Sequence, residues 1–198
     1  MINTDSRTAY EEHVASLRRE FGGDEAMRRA IGGDFVAIGR LEYHLLRSLG
    51  LADGHLVVDV GCGSGRLACQ LAAYPGIRYV GCDVVAALLD HAKRLSGRSD
   101  WLFIKTDGSK IPCENGAADF VCFFSVFTHL FHEQSYRYVQ DAARVLKPRG
   151  LLVLSFLEFE VPMHWKIFIE MANETTGSNH HNQFIDRYAI RAWSEHAG

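Results

Sequence analysis

Two aspartates and three glycines in this 198-residue chain have the types and spacing of a ligand-binding loop. Asp59 lies near the end of an apolar run, glycines follow at positions 61, 63 and 65, and a second apolar run ends in Asp83. Glycines let a ligand approach the backbone closely, and a carboxylate can accept hydrogen bonds from two adjacent hydroxyls. A strand, a glycine turn, a helix and an acid closing the next strand together predict a nucleoside site.

The glycine spacing helps to decide which nucleoside is bound. The dinucleotide fingerprint is Gly-x-Gly-x-x-Gly, whereas here the third glycine comes one position early and Arg66 stands in its place. A pyrophosphate favours bare backbone N–H groups at a helix start, so this spacing argues against a nicotinamide cofactor. An NAD-dependent oxidoreductase stays open as an alternative because an arginine does not forbid a phosphate.

The stretch from Val57 to Gly65 resembles motif I of the class I S-adenosylmethionine-dependent methyltransferases. Asp83 matches the acid with which that family holds the ribose hydroxyls. Three further segments match in order, and the resemblance covers about residues 35–160: Thr106-Asp107-Gly108 after strand three, Asp119 with residues 120–130 at strand four, and residues 145–153 at strand five.

This resemblance implies S-adenosyl-L-methionine as cofactor and in-line methyl transfer to an oxygen or nitrogen of a small-molecule acceptor. The glycine loop would meet the cofactor's amino-acid tail, Asp59 would accept from its ammonium or brace the loop, and Asp107 would lie near the adenine amino group. The expected cofactor-binding residues are Asp59, Gly61, Cys62, Gly63, Gly65, Asp83, Val84, Asp107, Gly108, Phe124 and Ser125.

His129 is the candidate catalytic residue. Residues directly after strand four face the methyl group in this fold, and an imidazole titrates near neutral pH. A histidine used only for packing or hydrogen bonding is the alternative. His132 is expected to begin the next helix, His180 and His181 lie in a loop that could border the acceptor pocket, and no metal site is predicted.

The fold class is α/β, a three-layer α-β-α doubly wound, mostly parallel sheet of the Rossmann-like methyltransferase type. Continuous apolar runs separated by helix-length segments indicate buried parallel strands. Residues 1–49 are predicted to form an N-terminal helical cap segment and residues 50–198 a Rossmann-like S-adenosylmethionine-binding domain. The predicted strands are 56–60, 79–82, 102–106, 119–124 and 151–156.

The family's sheet usually has seven strands, and only five are predicted here, so the domain is expected to lack the last two. Strand five would then be an open edge with unpaired N–H and C=O groups. We expect residues 160–185 or a second copy of the chain to cover this edge, which makes a homodimer a hypothesis.

Composition limits the remaining classes of function. The net charge is −3 and the sequence pI about 6.4, which gives no broad electrostatic footprint for nucleic acid. No apolar run approaches the roughly 18 residues that span a bilayer, so no membrane insertion is expected. Five cysteines without a Cys-x-x-Cys pair are typical of a reducing compartment, and a cytoplasmic protein is expected. A cofactor-binding relative without catalysis, or a partner subunit, also stays open.

Overall fold

A computed structural model describes residues 4–173 and 182–198. It contains one sheet of five strands in the order β3-β2-β1-β4-β5, and every neighbouring pair is parallel. The strand order changes direction beside β1, as in a doubly wound sheet, and this confirms the predicted fold class. The strands are β1 (Leu56–Val60), β2 (Arg78–Asp83), β3 (Leu102–Lys105), β4 (Ala118–Phe123) and β5 (Leu146–Leu154).

Helices connect and cover the strands. Three precede the sheet, three cross between strands, and two follow β5. Their bounds are α1 (Thr4–Phe21), α2 (Gly23–Ala30), α3 (Phe35–Ser48), α4 (Arg66–Leu71), α5 (Ala86–Ser96), α6 (His132–Val145), α7 (Pro162–Asn173) and α8 (Arg187–Ala197).

The breaks between the first three helices follow from local sequence. Gly22 and Gly32 both have a φ of 65°, a conformation that L side chains rarely adopt, and each separates two helices. Asp34 caps α3 by accepting hydrogen bonds from the N–H groups of Val36 and Ala37 at 3.0 and 2.8 Å. Asp24 does not cap α2 in the same way, because that helix begins at Gly23 and Asp24 lies in its first turn.

Apolar side chains cover both faces of the sheet. One cluster includes Val58, Phe123 and Tyr138, and another includes Val57, Leu67 and Trp101. Neighbouring residues of β1 therefore contribute to opposite faces, as the period of a strand requires. A third cluster joins the cap helices to α5, and it buries Met27 against Leu88. Whether residues 1–49 form a separate unit stays a prediction.

The edge of the sheet at β5 differs from expectation. Among the described residues none pairs with the outer side of Leu146–Leu154, and the later chain reaches it only beyond its end, where Leu157 bridges Phe184. Residues 160–185 therefore do not pair with β5 within the described ranges, and because 174–181 lie outside those ranges, cover of the edge by this segment stays a prediction. A homodimer stays a prediction.

The aromatic residues near the ends of β4 and β5 are divided between the core and the surface. Phe123 and Phe127 are fully buried, whereas Phe131, Phe159 and Trp165 are exposed by 53%, 44% and 46%. Phe159 and Trp165 join Phe168 and Phe184 in a surface aromatic cluster. No helix within the described ranges is long and apolar enough to cross a membrane.

Candidate functional site

A cavity of about 1010 Å³ lies at the carboxyl ends of the strands, with α1 and α2 on its other side. Open α/β sheets bind their ligands at this position. Nine of the predicted site residues line the cavity together: Asp59, Gly61, Cys62, Gly63, Asp83, Val84, Phe124, Ser125 and His129.

The glycine loop forms the floor of the cavity beside β1. Gly61 and Gly63 have φ values of 71° and 53°, so side chains there would be strained. A Cβ on Gly63 would lie 2.7 Å from Cγ2 of Ile31, the residue that ends α2. The cap therefore packs directly on the loop, and only glycine leaves space for that contact.

Gly65 lies against α5, and its contact with the cofactor stays a prediction. It does not line the cavity, and a Cβ there would lie 2.7 Å from both Cα and Cβ of Ala92 on α5. Gly65 is the N-cap residue of α4 and has a φ of 91°. Gly65 therefore permits close packing of the loop on α5, which explains its presence without a ligand.

Asp83 holds the glycine loop and still faces the cavity. Its Oδ2 accepts a hydrogen bond from the Gly63 N–H, and its Oδ1 accepts one from the Val85 N–H, both at 2.9 Å. Burial raises the pKa of Asp83, and these backbone hydrogen bonds oppose the rise. Each carboxylate oxygen keeps a second lone pair, so the group can also accept hydrogen bonds from a ligand.

Asp59 is buried at the end of β1 beside a partner that the sequence did not reveal. The hydroxyl of Tyr79 donates a hydrogen bond of 2.7 Å to its Oδ2. Burial raises the pKa of Asp59 to about 7, although the Tyr79 hydrogen bond lowers it. A cation bound beside this carboxyl would favour its ionised form.

Arg66 and Glu42 form a buried ion pair at the cavity wall. Nη2 of Arg66 lies 2.9 Å from Oε1 of Glu42, and Nη1 donates to the Gly32 carbonyl at 3.3 Å. Arg66 begins α4, Glu42 belongs to α3, and Gly32 follows α2. The pair therefore joins the cap to the loop that the cofactor is expected to contact.

The turn after β4 carries Ser125 and His129. Ser125 has a φ of 59°, which is uncommon for a serine, and its N–H donates to Oγ of Ser155 at 2.7 Å. Such conformations concentrate at functional sites. His129 ends a 3₁₀ turn (Phe127–His129), is exposed and lines the cavity, and its catalytic role stays a prediction.

Two further predicted residues, besides Gly65, are not among the residues that line the cavity. Asp107 is exposed, and its Oδ1 accepts hydrogen bonds from the N–H and the Oγ of Ser109 at 2.9 and 2.6 Å. Gly108 is buried but is not among the lining residues. Thr106, just before them, does line the cavity. His180 and His181 lie outside the described residues.

Sequence reasoning missed several cavity residues, including Tyr138, Glu42, Ile31 and Gln183. Only Glu42 has a clear signal in the sequence. It lies on the buried stripe of α3 with Phe35, Gly39 and Leu46, where a glutamate is expected to have a buried partner.

The cavity suits a cationic ligand. Among the described residues, Glu42, Asp59 and Asp83 are buried carboxyl groups at its wall and Arg66 is the one buried guanidinium, whereas the lining residues Arg19 and Arg29 are exposed. Ionised carboxylates repel the negative charges of a pyrophosphate, whereas they attract an ammonium or a sulfonium. Together with the glycine backbone of the loop, these residues fit S-adenosylmethionine.

Comparisons with known proteins agree with this chemistry. A sterol 24-C-methyltransferase of Pneumocystis carinii is 34% identical over 119 residues, which are 58% of this chain and 31% of that protein. A 27-O-demethylrifamycin SV methyltransferase of Amycolatopsis mediterranei is 26% identical over 119 residues, 58% of this chain and 43% of that protein. The chain thus matches less than half the length of these relatives.

A solved structure shares the fold across nearly the whole chain. Magnesium protoporphyrin IX methyltransferase of Synechocystis PCC 6803, with bound S-adenosylhomocysteine, matches with a TM-score of 0.72 at 19% identity, covering 98% of this chain and 88% of that one.

The family model described as a methyltransferase domain matches residues 58–154. That span runs from the third residue of β1 to the last residue of β5. Because it includes all the strand ends that border the cavity, we conclude that residues 58–154 form a methyltransferase domain of the class I S-adenosylmethionine-dependent family.

Proposed function

We propose that the protein transfers a methyl group from S-adenosylmethionine to a small-molecule acceptor. The observation that supports this proposal most strongly is the continuity of the cavity. One space joins the acidic glycine-loop end, at Asp59 and Asp83, to the turn with Ser125 and His129. A donor and an acceptor can therefore lie side by side in it.

The cofactor would occupy the end of the cavity formed by β1 and β2. Asp83 would accept hydrogen bonds from the ribose hydroxyls with its remaining lone pairs. The backbone of Gly61 and Gly63 would lie against the amino-acid tail, and Asp59 would attract its ammonium. S-adenosylmethionine supplies an electrophilic methyl group on a positive sulfur.

The acceptor would occupy the remaining space. At about 1010 Å³ the cavity is at the upper end of the usual size of small-molecule sites, about 300–1,000 Å³, so it has room for more than the cofactor. Phe124 and Phe131 contribute apolar walls. Relatives that act on a sterol and on a rifamycin support a large, mainly apolar ring system as acceptor.

The protein's own contribution to the reaction would be alignment and proton removal. In-line displacement needs the acceptor atom held close to the methyl group with water excluded, and the α1–α2 cap over the cavity serves that purpose. An acceptor hydroxyl also needs a base. His129 lies on the cavity wall and could take that proton with its imidazole.

Methyl transfer from labelled S-adenosylmethionine to a panel of polycyclic alcohols and phenols tests the proposal. We expect release of S-adenosylhomocysteine and a labelled product with at least one acceptor. His129→Gln should lower kcat by about 100-fold for a hydroxyl acceptor without changing the KM for the cofactor. His196→Gln, at an exposed position of α8, is the matched control and should change neither.

Two outcomes would contradict the assignment in different ways. Tight cofactor binding without turnover across the panel would favour a non-catalytic relative or a partner subunit. If His129→Gln left turnover unchanged, His129 would not be the base, and the proposed methyltransferase activity would still stand.

A further inference from the structure

The described segment between α7 and α8 contributes Gln183 to the cavity, beside the turn that carries His129. Gln183 is half-buried and belongs to the cavity lining. Its backbone N–H donates a hydrogen bond of 2.7 Å to the carbonyl of Thr128. Because Thr128 directly precedes His129 in the chain, Gln183 and His129 are neighbours at the wall of the cavity.

Contacts on both sides hold this segment in place. His132, at the start of α6, donates a hydrogen bond from Nε2 to the Phe184 carbonyl at 3.0 Å. The N–H of Ile185 donates to the Leu157 carbonyl at 2.8 Å. The position of Gln183 relative to the turn is therefore fixed by contacts that do not involve its own side chain.

The direction of the Gln183 side chain follows from those of its neighbours. Phe184 forms a parallel bridge with Leu157, so the backbone is extended there, and side chains of an extended segment point to alternate sides. Phe184 stacks on Phe159 in the surface aromatic cluster, whereas Ile185 is buried in the core. Gln183 points to the same side as Ile185, toward the interior, which agrees with its place in the cavity lining.

The amide of Gln183 suits a polar group of a ligand. Its Oε1 accepts hydrogen bonds and its Nε2 donates two. A half-buried amide can be hydrated and can exchange its water for a group of a ligand. Gln134, another amide in the lining, is engaged differently, because its Oε1 accepts from the Phe131 N–H at 2.9 Å at the start of α6. Gln183 therefore provides a hydrogen-bonding group for a ligand that lies next to His129.

We infer that Gln183 binds the methyl acceptor, with its amide hydrogen-bonded to a second hydroxyl beside the one that is methylated. The inference rests on the proposed function, which directs the methylated hydroxyl to His129. Because Gln183 and His129 are neighbours, a hydroxyl on the adjacent carbon reaches the amide. The apolar walls at Phe124 and Phe131 suit an aromatic ring. The acceptor class is therefore an aromatic ring system with two neighbouring hydroxyls.

Calorimetric titration of two probes into the protein saturated with S-adenosylhomocysteine tests the inference. The probes are 2,3-dihydroxynaphthalene and 2-naphthol, which differ by one hydroxyl. The proteins are the wild type, Gln183→Met and Asn182→Leu, and each variant replaces an amide with an apolar side chain of similar size. Asn182 is the matched control, because it is adjacent and also half-buried but is not among the lining residues.

We expect the wild type to bind 2,3-dihydroxynaphthalene about three- to tenfold more tightly than 2-naphthol, the effect of one net hydrogen bond. Gln183→Met should bind the two probes equally, whereas Asn182→Leu should keep the preference. Affinity for S-adenosylhomocysteine should be the same in all three proteins, because Gln183 lies on the acceptor side of the cavity. Thermal unfolding of each variant checks that it is folded.

Equal affinity of the wild type for both probes, or a preference that Gln183→Met retains, would overturn the role of Gln183 and leave the proposed function intact. A wild type that binds S-adenosylhomocysteine but neither probe would overturn the inferred acceptor class, while methylation of other acceptors in the panel would preserve the proposed function. A wild type that does not bind S-adenosylhomocysteine would overturn both.

Discussion

The hydroxyl of Tyr79 lies 2.7 Å from Oδ2 of Asp59, and both side chains are buried. Tyr79 and Asp59 belong to the neighbouring strands β2 and β1, so the sheet register fixes their approach. The pair places a carboxyl with a raised pKa next to the glycine loop.

This pair predicts how stability depends on pH. The pKa of Asp59 is about 7 in the folded protein, above the roughly 3.9 of an unfolded aspartate. Its stabilising contribution is therefore present below about pH 4 and is lost as the pH rises through about 7. In urea unfolding at a series of pH values, Asp59→Asn should show a smaller loss of stability across this window than the wild type.

Tyr79→Phe is the complementary variant. It removes the hydrogen bond that favours the ionised carboxylate, so the pKa of Asp59 should rise further and the loss should move to higher pH. Identical pH profiles for the wild type and Asp59→Asn would show that other groups cause the dependence.

The Arg66–Glu42 pair is predicted to matter for stability as well as for the site. Glu42→Gln would leave a buried guanidinium without its counter-charge, so the free energy of unfolding should fall by about 3 kcal/mol. Glu25→Gln is the matched control, because its ion pair with Arg29 has a similar length of 2.7 Å but is exposed. That variant should cost under about 1 kcal/mol in urea unfolding. Equal costs would mean that burial of the Arg66 pair has no energetic effect.

Gly63 is predicted to be intolerant of a methyl group for two separable reasons. Gly63→Ala adds an unfavourable positive φ and a clash with Ile31, whereas Gly54→Ala, with a φ of 85° and open space, adds only the first. The Gly54 variant should lower the free energy of unfolding by about 1–2 kcal/mol, and the Gly63 variant should lower it clearly more. Adding Ile31→Ala to Gly63→Ala should restore part of the difference in thermal unfolding. No restoration would contradict the proposed contact between cap and loop.

Tyr10 is predicted to slow release of the cofactor. It lines the cavity from α1, and its hydroxyl donates to the Ala30 carbonyl at 3.3 Å, which ties α1 to α2. Tyr10→Ala should raise the dissociation rate of S-adenosylhomocysteine about tenfold in stopped-flow fluorescence. Tyr10→Phe, which keeps the ring, should have a much smaller effect. Unchanged rates in both variants would show that α1 does not cover the bound cofactor.

The sheet was largely predictable because each strand is a short apolar run buried between two layers. The start of β5 was not. The predicted strand was 151–156, but β5 begins at Leu146 and includes Pro148, since an edge strand pairs on one side only and tolerates a proline. The edge position of β5 was expected from the number of strands, but local composition did not indicate that the strand continues through the proline.

The glycine loop and strand-end acids were predictable because backbone conformation restricts which residues can stand there. Contacts between side chains of different elements were not predictable. Examples are the hydrogen bond from Tyr79 to Asp59 and the position of Tyr138 on the cavity wall. Nothing in the local pattern around Tyr138 distinguishes it from Tyr136 two positions earlier. Such contacts depend on helix placement, which sequence periodicity does not determine.

The most direct test of the account is calorimetric titration of S-adenosylhomocysteine into the wild type, Asp83→Asn and Asp90→Asn, with NADH in parallel. Asp90 is an exposed control on α5. We predict binding of one S-adenosylhomocysteine to the wild type and Asp90→Asn, at least tenfold weaker binding to a folded Asp83→Asn, and no binding of NADH. Binding of NADH alone, or affinity for S-adenosylhomocysteine that Asp83→Asn leaves unchanged, would contradict the assignment of this site.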